Sequence, residues 1–350
     1  MPDVTFDFNI PVFAGSPDEG NGGSGDEENP EPVHRDTPCY DALDWETTKA
    51  GIEKAEELGY HTAWAPDHLM LGRDRAEYEV WTLLSAIAGF TDDIRVGSLV
   101  LCNDYRNPAL VAKMAATLDV ISEGRLSLGL GAGWHEPEYD AYGWEYRDGF
   151  ERLMRLDESI RLMKRMWDAG GDGASFDGER YQIEDAPCSP PPVQDPHPPV
   201  LVGGQGEEVT LKLVAKHADV WNTDVFNGDL PTLQRKIGVI EDHCETVGRD
   251  PDEVDYSWDG HVVCARDEEK RERLLDLMTP IQFEDEYVDQ PDITRENADD
   301  YFVMGTPEEC AAAIEERVEA GVTSFQCWFV DFPDYGGMEL FADEVMPEFA

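Results

Sequence analysis

The strongest constraint on this chain is a unit that pairs one short apolar segment with one amphipathic segment. Ile94–Cys102 shows the first half, because it is short, apolar and rich in β-branched residues, as buried parallel strands are. Ala109–Ile121 shows the second half: its apolar residues recur at helical spacing, and Pro108 suits a first helical position. Arg125–Gly131 then has the pattern of another strand. This stretch therefore predicts strand, helix and strand in succession.

The same alternation occurs eight times along the chain. Eight strand–helix pairs without a long break in composition predict an α/β fold, specifically a (β/α)8 TIM barrel. A doubly wound sheet is the alternative, but five or six strands would suit it better. The predicted strands are 4–12, 61–66, 94–102, 125–131, 200–202, 219–222, 254–265 and 323–330, and the predicted helices are 44–58, 80–90, 109–121, 150–167, 207–216, 230–247, 267–277 and 306–320.

The chain is longer than such a barrel needs. A barrel typically takes about 250 residues, so about 100 remain for insertions. The composition assigns them to the Gly-rich acidic segment 14–43, the Gly/Pro-rich segment 168–199 and the acidic segment 279–304. We expect all three at the C-terminal face of one domain that spans residues 1–350.

Charge narrows the range of partners. The formal net charge is −49, with 76 Asp and Glu against 27 Lys and Arg, and only eight of the basic residues are Lys. Such a surface repels nucleic acid and anionic membranes, so we expect neither as a partner. An acidic, lysine-poor surface is typical of halophilic proteins, and the sequence predicts an origin in a salt-loving archaeon.

The seven cysteines predict a reducing compartment. Their number is odd and there is no CxxC spacing, which argues against a disulfide framework and against a zinc site. Residues 1–10 lack the pattern of a signal peptide, and no apolar run approaches the roughly 20 residues of a membrane span. We therefore expect a cytoplasmic protein with no bound metal.

In a TIM barrel the active site lies at the C-terminal ends of the strands, which selects a set of candidate residues. Asp67 and His68 end the second strand, and His68 could act as a general acid or base because its pKa lies near neutrality. A structural hydrogen-bonding role is the alternative. The other candidates at strand ends are Cys102, Asn103, Arg106, Gly131, Gly133, Trp134, His135, Glu136, Asn222, Asp224 and Asp331.

Two turns have a composition suited to a ligand. Trp134, in the turn after the fourth strand, could form a wall for a flat ring or could simply be a packed aromatic residue. Gly203–Gly206 precedes a helix, so backbone N–H groups there could bind a phosphate. A tight turn without a ligand is the alternative, and Glu207 and Glu208 would compete for the helix dipole.

Four segments stand out along the chain: AEELGYHTAWAPDHL, NPALVAKMAATLDVISEGRLSLGLGAGWHEPEYDAYG, HPPVLVGGQGEEVTLKLVAKHADVWN and MGTPEEC. They closely resemble the luciferase-like monooxygenase superfamily, in particular its deazaflavin (coenzyme F420)-dependent oxidoreductase branch. The resemblance covers roughly residues 44–330, in order and with natural spacing. Segments 14–43 and 279–304 lie outside it.

The resemblance implies a barrel with a tricyclic cofactor ring across its mouth. It implies a non-proline cis peptide bond within Gly97–Leu101, at Leu99–Val100, facing the ring. It places Asp67 and His68 near the reactive ring edge as catalytic residues, with Glu136 near the position of a catalytic Glu in some relatives. The implied cofactor-binding residues are Leu99, Val100, Asn103, Arg106, Gly131, Gly133, Trp134, Gly203, Gly204, Gln205 and Gly206.

The cofactor decides the reaction. F420 transfers hydride in two-electron steps, so its presence would make the protein a hydride-transfer oxidoreductase acting on a small organic substrate. FMN is the alternative cofactor and would allow oxygen insertion; a non-catalytic flavin-binding barrel is the third hypothesis. Basic residues for the acidic tail of F420 are scarce, and the candidates are Arg106, Arg147 and Lys212. The resemblance also implies a homodimer or a higher homo-oligomer.

Overall fold

A computed structural model describes residues 4–12, 37–40, 43–70, 75–224, 229–279 and 292–350. Its parallel strands close into a barrel with the neighbour order β1, β2, β3, β5, β8, β9, β10, β12 and back to β1. The short β4 pairs with β5, and β11 adds to β10 outside this ring. The strands are β1 Thr5–Asn9, β2 Thr62–Ala65, β3 Arg95–Ser98, β4 Leu101–Cys102, β5 Leu126–Gly131, β6 Ala174–Asp177, β7 Gln182–Ala186, β8 Val200–Gly203, β9 Val220–Asp224, β10 Asp255–Cys264, β11 Val303–Gly305 and β12 Val322–Phe329.

Helices follow the strands and bury their apolar faces against the barrel. Helix α3 illustrates how the sequence sets their ends: Pro108 starts it, and the Asn107 side chain accepts a hydrogen bond from the Ala109 N–H at 2.9 Å. The helices are α1 Trp45–Glu57, α2 Val80–Phe90, α3 Pro108–Ile121, α4 Glu136–Tyr142, α5 Gly149–Ala169, α6 Thr210–His217, α7 Leu230–Val247, α8 Glu268–Met278, α9 Ala298–Tyr301, α10 Pro307–Glu319 and α11 Gly336–Glu344. The predicted (β/α)8 barrel is confirmed.

Several elements differ from the sequence prediction. The third predicted strand divides into β3 and β4, and the cis peptide bond Leu99–Val100 lies between them, at the predicted position. Helix α4 was not predicted, because seven residues give too short an apolar pattern to recognise. Helix α9 and strand β11 were not predicted either, because α9 lies within the acidic segment 279–304 and β11 lies at its end.

The segment 168–199 only partly reaches the C-terminal face. Gln194 donates to the Leu126 carbonyl at 2.8 Å, which anchors the segment at the opposite end of the barrel, where β5 begins. Only the tip of the β6–β7 hairpin extends to the mouth, where the Asn103 side-chain amide lies 3.4 Å from the Tyr181 hydroxyl. The predicted insertion 14–43 lies mostly outside the described residues, as do residues 280–291 of the insertion 279–304.

Candidate active site

A histidine–carboxylate pair lies at the barrel mouth. His68 follows β2, and its Nδ1 is 3.1 Å from Oε2 of Glu138 on α4. Nε2 of His68 has no hydrogen-bond partner among the described residues, and the side chain is 15% exposed. Burial lowers the pKa of His68, but the hydrogen bond to Glu138 and the negative charges of Glu77, Glu138 and Asp67 together outweigh it and raise the pKa above its ordinary value. A hydrogen-bonded imidazole with one accessible nitrogen is suited to proton transfer.

Glu138 is fully buried and accepts four hydrogen bonds. Oε1 accepts from the backbone N–H groups of Leu69 at 2.5 Å and Met70 at 2.9 Å. Oε2 accepts from the Tyr105 hydroxyl at 2.5 Å and faces His68. Burial would raise the pKa of Glu138, but His68 and the other donors outweigh it and hold the pKa at about 2. The carboxylate is therefore ionised at neutral pH and fixes the orientation of the imidazole.

The carboxylate next to His68 is not the one that the sequence suggested. Glu136 is exposed in the first turn of α4, whereas Glu138 turns inward. The sequence offered a usable signal: Pro137 and the left-handed Gly143 bracket a short helix, which places neighbouring acidic residues on different faces. Glu136 makes no hydrogen bond to His68 among the described residues, and its catalytic role stays a prediction.

Asp67 forms a structural ion pair. Its two carboxylate oxygens accept hydrogen bonds from Arg106 at 2.6 and 3.0 Å, and Oδ2 also accepts from the Cys102 N–H at 2.8 Å. Arg106 reaches Glu79 at 2.5 Å as well. This geometry connects the ends of β2 and β4. Asp67 as a catalytic residue and Arg106 as a ligand for the acidic tail of a cofactor stay predictions, and this pairing does not support either of them.

The turn after β5 presents a flat aromatic surface. Trp134 is 47% exposed, and its ring packs edge-on against His68 with centroids 5.5 Å apart. Two side chains fix the backbone of this turn: Arg152 donates to the Gly133 carbonyl at 3.0 Å, and Tyr146 donates to the Trp134 carbonyl at 2.9 Å. Trp134 thus lies where the predicted wall of a ring site would be.

His135 is buried beside this wall. Its ring lies 5.9 Å from that of His68, and neither of its ring nitrogens has a hydrogen-bond partner among the described residues. Burial lowers its pKa, so His135 remains neutral while His68 holds a proton.

Val100 explains several of the glycines at the mouth. A Cβ at Gly131 would lie 2.6 Å from a Val100 methyl, and a Cβ at Gly203 would lie 3.1 Å from the other methyl. The Val100 side chain therefore occupies the space between β5 and β8. The predicted ligand-binding residues Gly131 and Gly203 have a packing reason to be glycine, independent of any ligand.

We expect Gly131→Ala to destabilise the protein by about 1–3 kcal/mol, the usual cost of overpacking. Adding Val100→Ala removes the methyl that the new Cβ meets, so the double variant should recover most of this loss. The measurement is denaturant unfolding of both single variants and the double variant, combined as a cycle. Gly89→Ala is the control, because no atom lies near a Cβ there and the site is helical. A cycle without favourable coupling would show that Val100 is not the reason for Gly131.

The Gly203–Gly206 turn, the predicted phosphate site, depends on glycine for its backbone conformation. Gly204 has φ +124, and its carbonyl accepts a hydrogen bond from the Trp221 indole at 2.8 Å, which fixes the turn. A Cβ at Gly204 would lie 3.0 Å from the Thr210 methyl, so the backbone stays open only with glycine. Helix α6 begins at Thr210, and no side chain caps its first N–H groups.

Positive charge next to this turn was not anticipated from the sequence. The buried Lys236 on α7 donates to the Gln205 side-chain oxygen. Arg235, its neighbour, pairs with Glu207, which offsets the acidic charge expected to oppose an anion. The signal was the Arg-Lys pair at the start of α7, but only the fold brings it next to the turn.

Several of the other candidates have protein partners. Asn103 is buried beneath Tyr181, and Asp331 accepts from Lys270 at 2.7 Å and from the Gly337 N–H at 3.0 Å. Burial raises the pKa of Cys102 to about 12, so it is a neutral thiol. Arg147, a predicted tail ligand, lies against Asp104 at 3.7 Å and Glu145 at 2.6 Å. Lys212 has no ion pair among the described residues.

A closed parallel barrel with polar side chains gathered at the C-terminal ends of its strands is the TIM-barrel arrangement of an enzyme. The model of the luciferase-like monooxygenase family matches residues 27–324, and the chain belongs to this family. The membership predicted from the four segments is confirmed. No helix in the described ranges is both long and apolar enough to span a membrane.

Named relatives narrow the class to oxidoreductases. The F420-dependent glucose-6-phosphate dehydrogenase of Amycolatopsis mediterranei is 26% identical over 310 residues, 84% of this chain and 92% of the relative. The F420-dependent hydroxymycolic acid dehydrogenase of Mycobacterium tuberculosis is 26% identical over 345 residues, 93% of this chain and 91% of the relative. This chain is an oxidoreductase of the same family.

One solved structure supports the fold. The coenzyme F420-dependent tetrahydromethanopterin reductase of Methanopyrus kandleri superposes with a TM-score of 0.72 at 22% identity. The match covers 88% of this chain and 96% of the reductase. The relatives described here are not halophilic proteins by name, and the halophilic origin of this chain stays a prediction.

Proposed function

We propose that this protein transfers hydride between F420 and a small hydroxyl- or carbonyl-bearing substrate. The observation that carries the proposal is the His68–Glu138 pair, placed next to the exposed Trp134 ring. Two relatives named as F420-dependent dehydrogenases support this choice of cofactor.

The residues of the pair have separate tasks. Glu138, ionised and held by four donors, accepts a hydrogen bond from the Nδ1–H of His68, and this tautomer has its lone pair on Nε2. In alcohol oxidation, Nε2 takes the substrate's hydroxyl proton while the C–H hydrogen leaves as hydride and the carbonyl forms. The resulting imidazolium is stabilised by Glu138. In the reverse direction, the imidazolium returns this proton to the oxygen.

The residues present fit a bound deazaflavin. F420 would supply a ring carbon that accepts and donates hydride in two-electron steps. Leu99, Val100 and Trp134 would contact its ring. The open backbone of Gly204 and Gly206, with Lys236 behind it, suits the cofactor's phosphate.

FMN is the second candidate, and one observation favours it. Arg106 and Arg147, two of the three predicted ligands for an acidic tail, are paired with carboxylates of the protein itself. FMN has a phosphate but no oligoglutamate tail, so it needs fewer cations. With FMN the same pair would serve a monooxygenase.

The test is a titration of the apo-protein with each cofactor, followed by quenching of cofactor fluorescence. Strong salt is used because it screens the repulsion within so acidic a chain. We expect F420 to bind and FMN to bind much more weakly. A secondary alcohol and glucose 6-phosphate are then offered as probe substrates, and F420 reduction is followed by absorbance. Tight FMN binding without F420 binding would overturn the proposal, and F420 binding without turnover of any substrate would favour a non-catalytic barrel.

A further inference from the structure

We propose that Tyr105 is a positioning residue that lowers the proton affinity of His68 by sharing its carboxylate partner. The effect on turnover rests on the proposed function, but the effect on His68 itself does not.

Tyr105 and His68 meet at one oxygen atom of Glu138. Oε2 of Glu138 accepts the Tyr105 hydroxyl at 2.5 Å and faces Nδ1 of His68 at 3.1 Å. The other oxygen is taken by the backbone N–H groups of Leu69 and Met70. Tyr105 and His68 therefore share the negative charge of the same oxygen, and Tyr105 has the shorter contact.

Tyr105 acts only as a donor. Burial, with Cys102 and Glu138 nearby, raises the pKa of its phenol well above the ordinary value, so the hydroxyl stays protonated. The O–H dipole of Tyr105 presents its positive end to Oε2 and offsets part of the negative charge that faces His68. It thereby reduces the stabilisation that the carboxylate gives to a proton on His68.

The ring of Tyr105 is fixed independently of its hydroxyl. It stacks on Trp144 with centroids 4.6 Å apart and lies edge-on to Tyr139 at 5.3 Å. Trp144 in turn stacks on Tyr142 at 5.5 Å. Replacing Tyr105 with Phe keeps these ring contacts and removes only the donor to Glu138.

Other charged groups near His68 do not change in this substitution. Glu138 faces it from α4, Glu77 from the segment before α2, and Asp67 from its own loop, where Arg106 holds it. His135, at the start of α4, packs against the same ring and is neutral. A shift in the titration of His68 can therefore be assigned to the lost hydroxyl.

The experiment compares wild type, Tyr105→Phe and Tyr142→Phe in the full chain. Tyr142→Phe is the matched control, because Tyr142 lies at the exposed end of the same stack and its hydroxyl has no partner among the described residues. The pKa of His68 is measured by NMR titration of the imidazole C–H signals, assigned by their loss in His68→Asn. We expect Tyr105→Phe to raise this pKa by about one unit and Tyr142→Phe to leave it unchanged.

Turnover gives the second readout. In alcohol oxidation His68 must be unprotonated, so the acid limb of the kcat/KM profile should move up by the same unit. At a pH below the pKa of this limb, we expect kcat/KM of Tyr105→Phe to be about tenfold lower than that of the wild type, while KM changes little.

An unchanged His68 pKa in folded Tyr105→Phe, or an equal shift in Tyr142→Phe, would overturn the inference. A raised pKa without any turnover would keep the inference and count against the proposed function instead. Should Tyr105→Phe not fold, the wild-type chain labelled with 3-fluorotyrosine replaces it. A more acidic phenol is a stronger donor, so the expected shift of the His68 pKa is then downward, and its absence would contradict the inference.

Discussion

His68→Asn is expected to lower kcat by a factor of about 10²–10⁴, the usual contribution of a positioned acid or base. Asn can replace the hydrogen bond to Glu138, but it cannot take up or release a proton at neutral pH. Because the ring wall and the Gly203–Gly206 turn are untouched, cofactor affinity should change little. The measurement is single-turnover reduction of bound cofactor by a substrate that the wild type accepts, together with a cofactor titration.

His217→Asn is the matched control for this prediction. His217 also pairs with a carboxylate, since its Nε2 lies 3.0 Å from Asp157, but the pair joins α6 to α5 on the outside of the barrel. Its replacement should leave kcat within about twofold, as expected for a surface substitution. Equal activity of His68→Asn and His217→Asn would remove the proton-transfer role from His68.

Asp67→Asn is expected to lower the free energy of unfolding by about 3 kcal/mol, because it leaves the buried Arg106 with an incompletely compensated charge. The Asn oxygen still accepts the Cys102 N–H, so the loss reports the ion pair and not the backbone contact. Glu79 continues to pair with Arg106, which keeps the effect at the lower end of the range for a broken buried pair. Denaturant unfolding followed by tryptophan fluorescence gives the value.

Adding Arg106→Met to Asp67→Asn should restore much of the lost free energy of unfolding. Asp67→Asn with Arg106→Met contains no buried unpaired charge, and replacement of buried pairs by apolar groups is often close to neutral. Glu145→Gln is the control: it breaks a pair with Arg147 whose acid is 72% exposed, and should cost no more than about 1 kcal/mol. A double variant that is less stable than Asp67→Asn would contradict the ion-pair explanation.

The barrel was predictable because its signals are local. The helices α2 and α7 begin and end at the predicted residues, since Phe90 and Val247 close strong apolar patterns and a cap or stop residue follows at once. The cis bond at Leu99–Val100 was located through the resemblance, and not through any physical property of those two residues. Composition alone gave no reason to divide the strand there.

The site was less predictable because its contacts join distant parts of the chain. Glu136 and Glu138 are both glutamates two positions apart. Only the conformation of the seven-residue helix α4 determines which of them contacts His68. Arg106 looked available for a ligand because Asp67 lies 39 positions before it, and no local pattern shows that they pair. Tyr105 and Lys236 were missed for the same reason.

The β6–β7 hairpin has a consequence for how this barrel could be altered. Gln194, in the chain that follows the hairpin, is anchored where the strands begin. At the tip, Glu158 on α5 accepts the backbone N–H groups of Glu179, Arg180 and Tyr181. The tip reaches Asn103 at the mouth without contributing to the barrel sheet. Replacing residues 177–182 with the corresponding residues of a relative would therefore change one wall of the barrel mouth. The barrel sheet and the His68–Glu138 pair would keep their contacts.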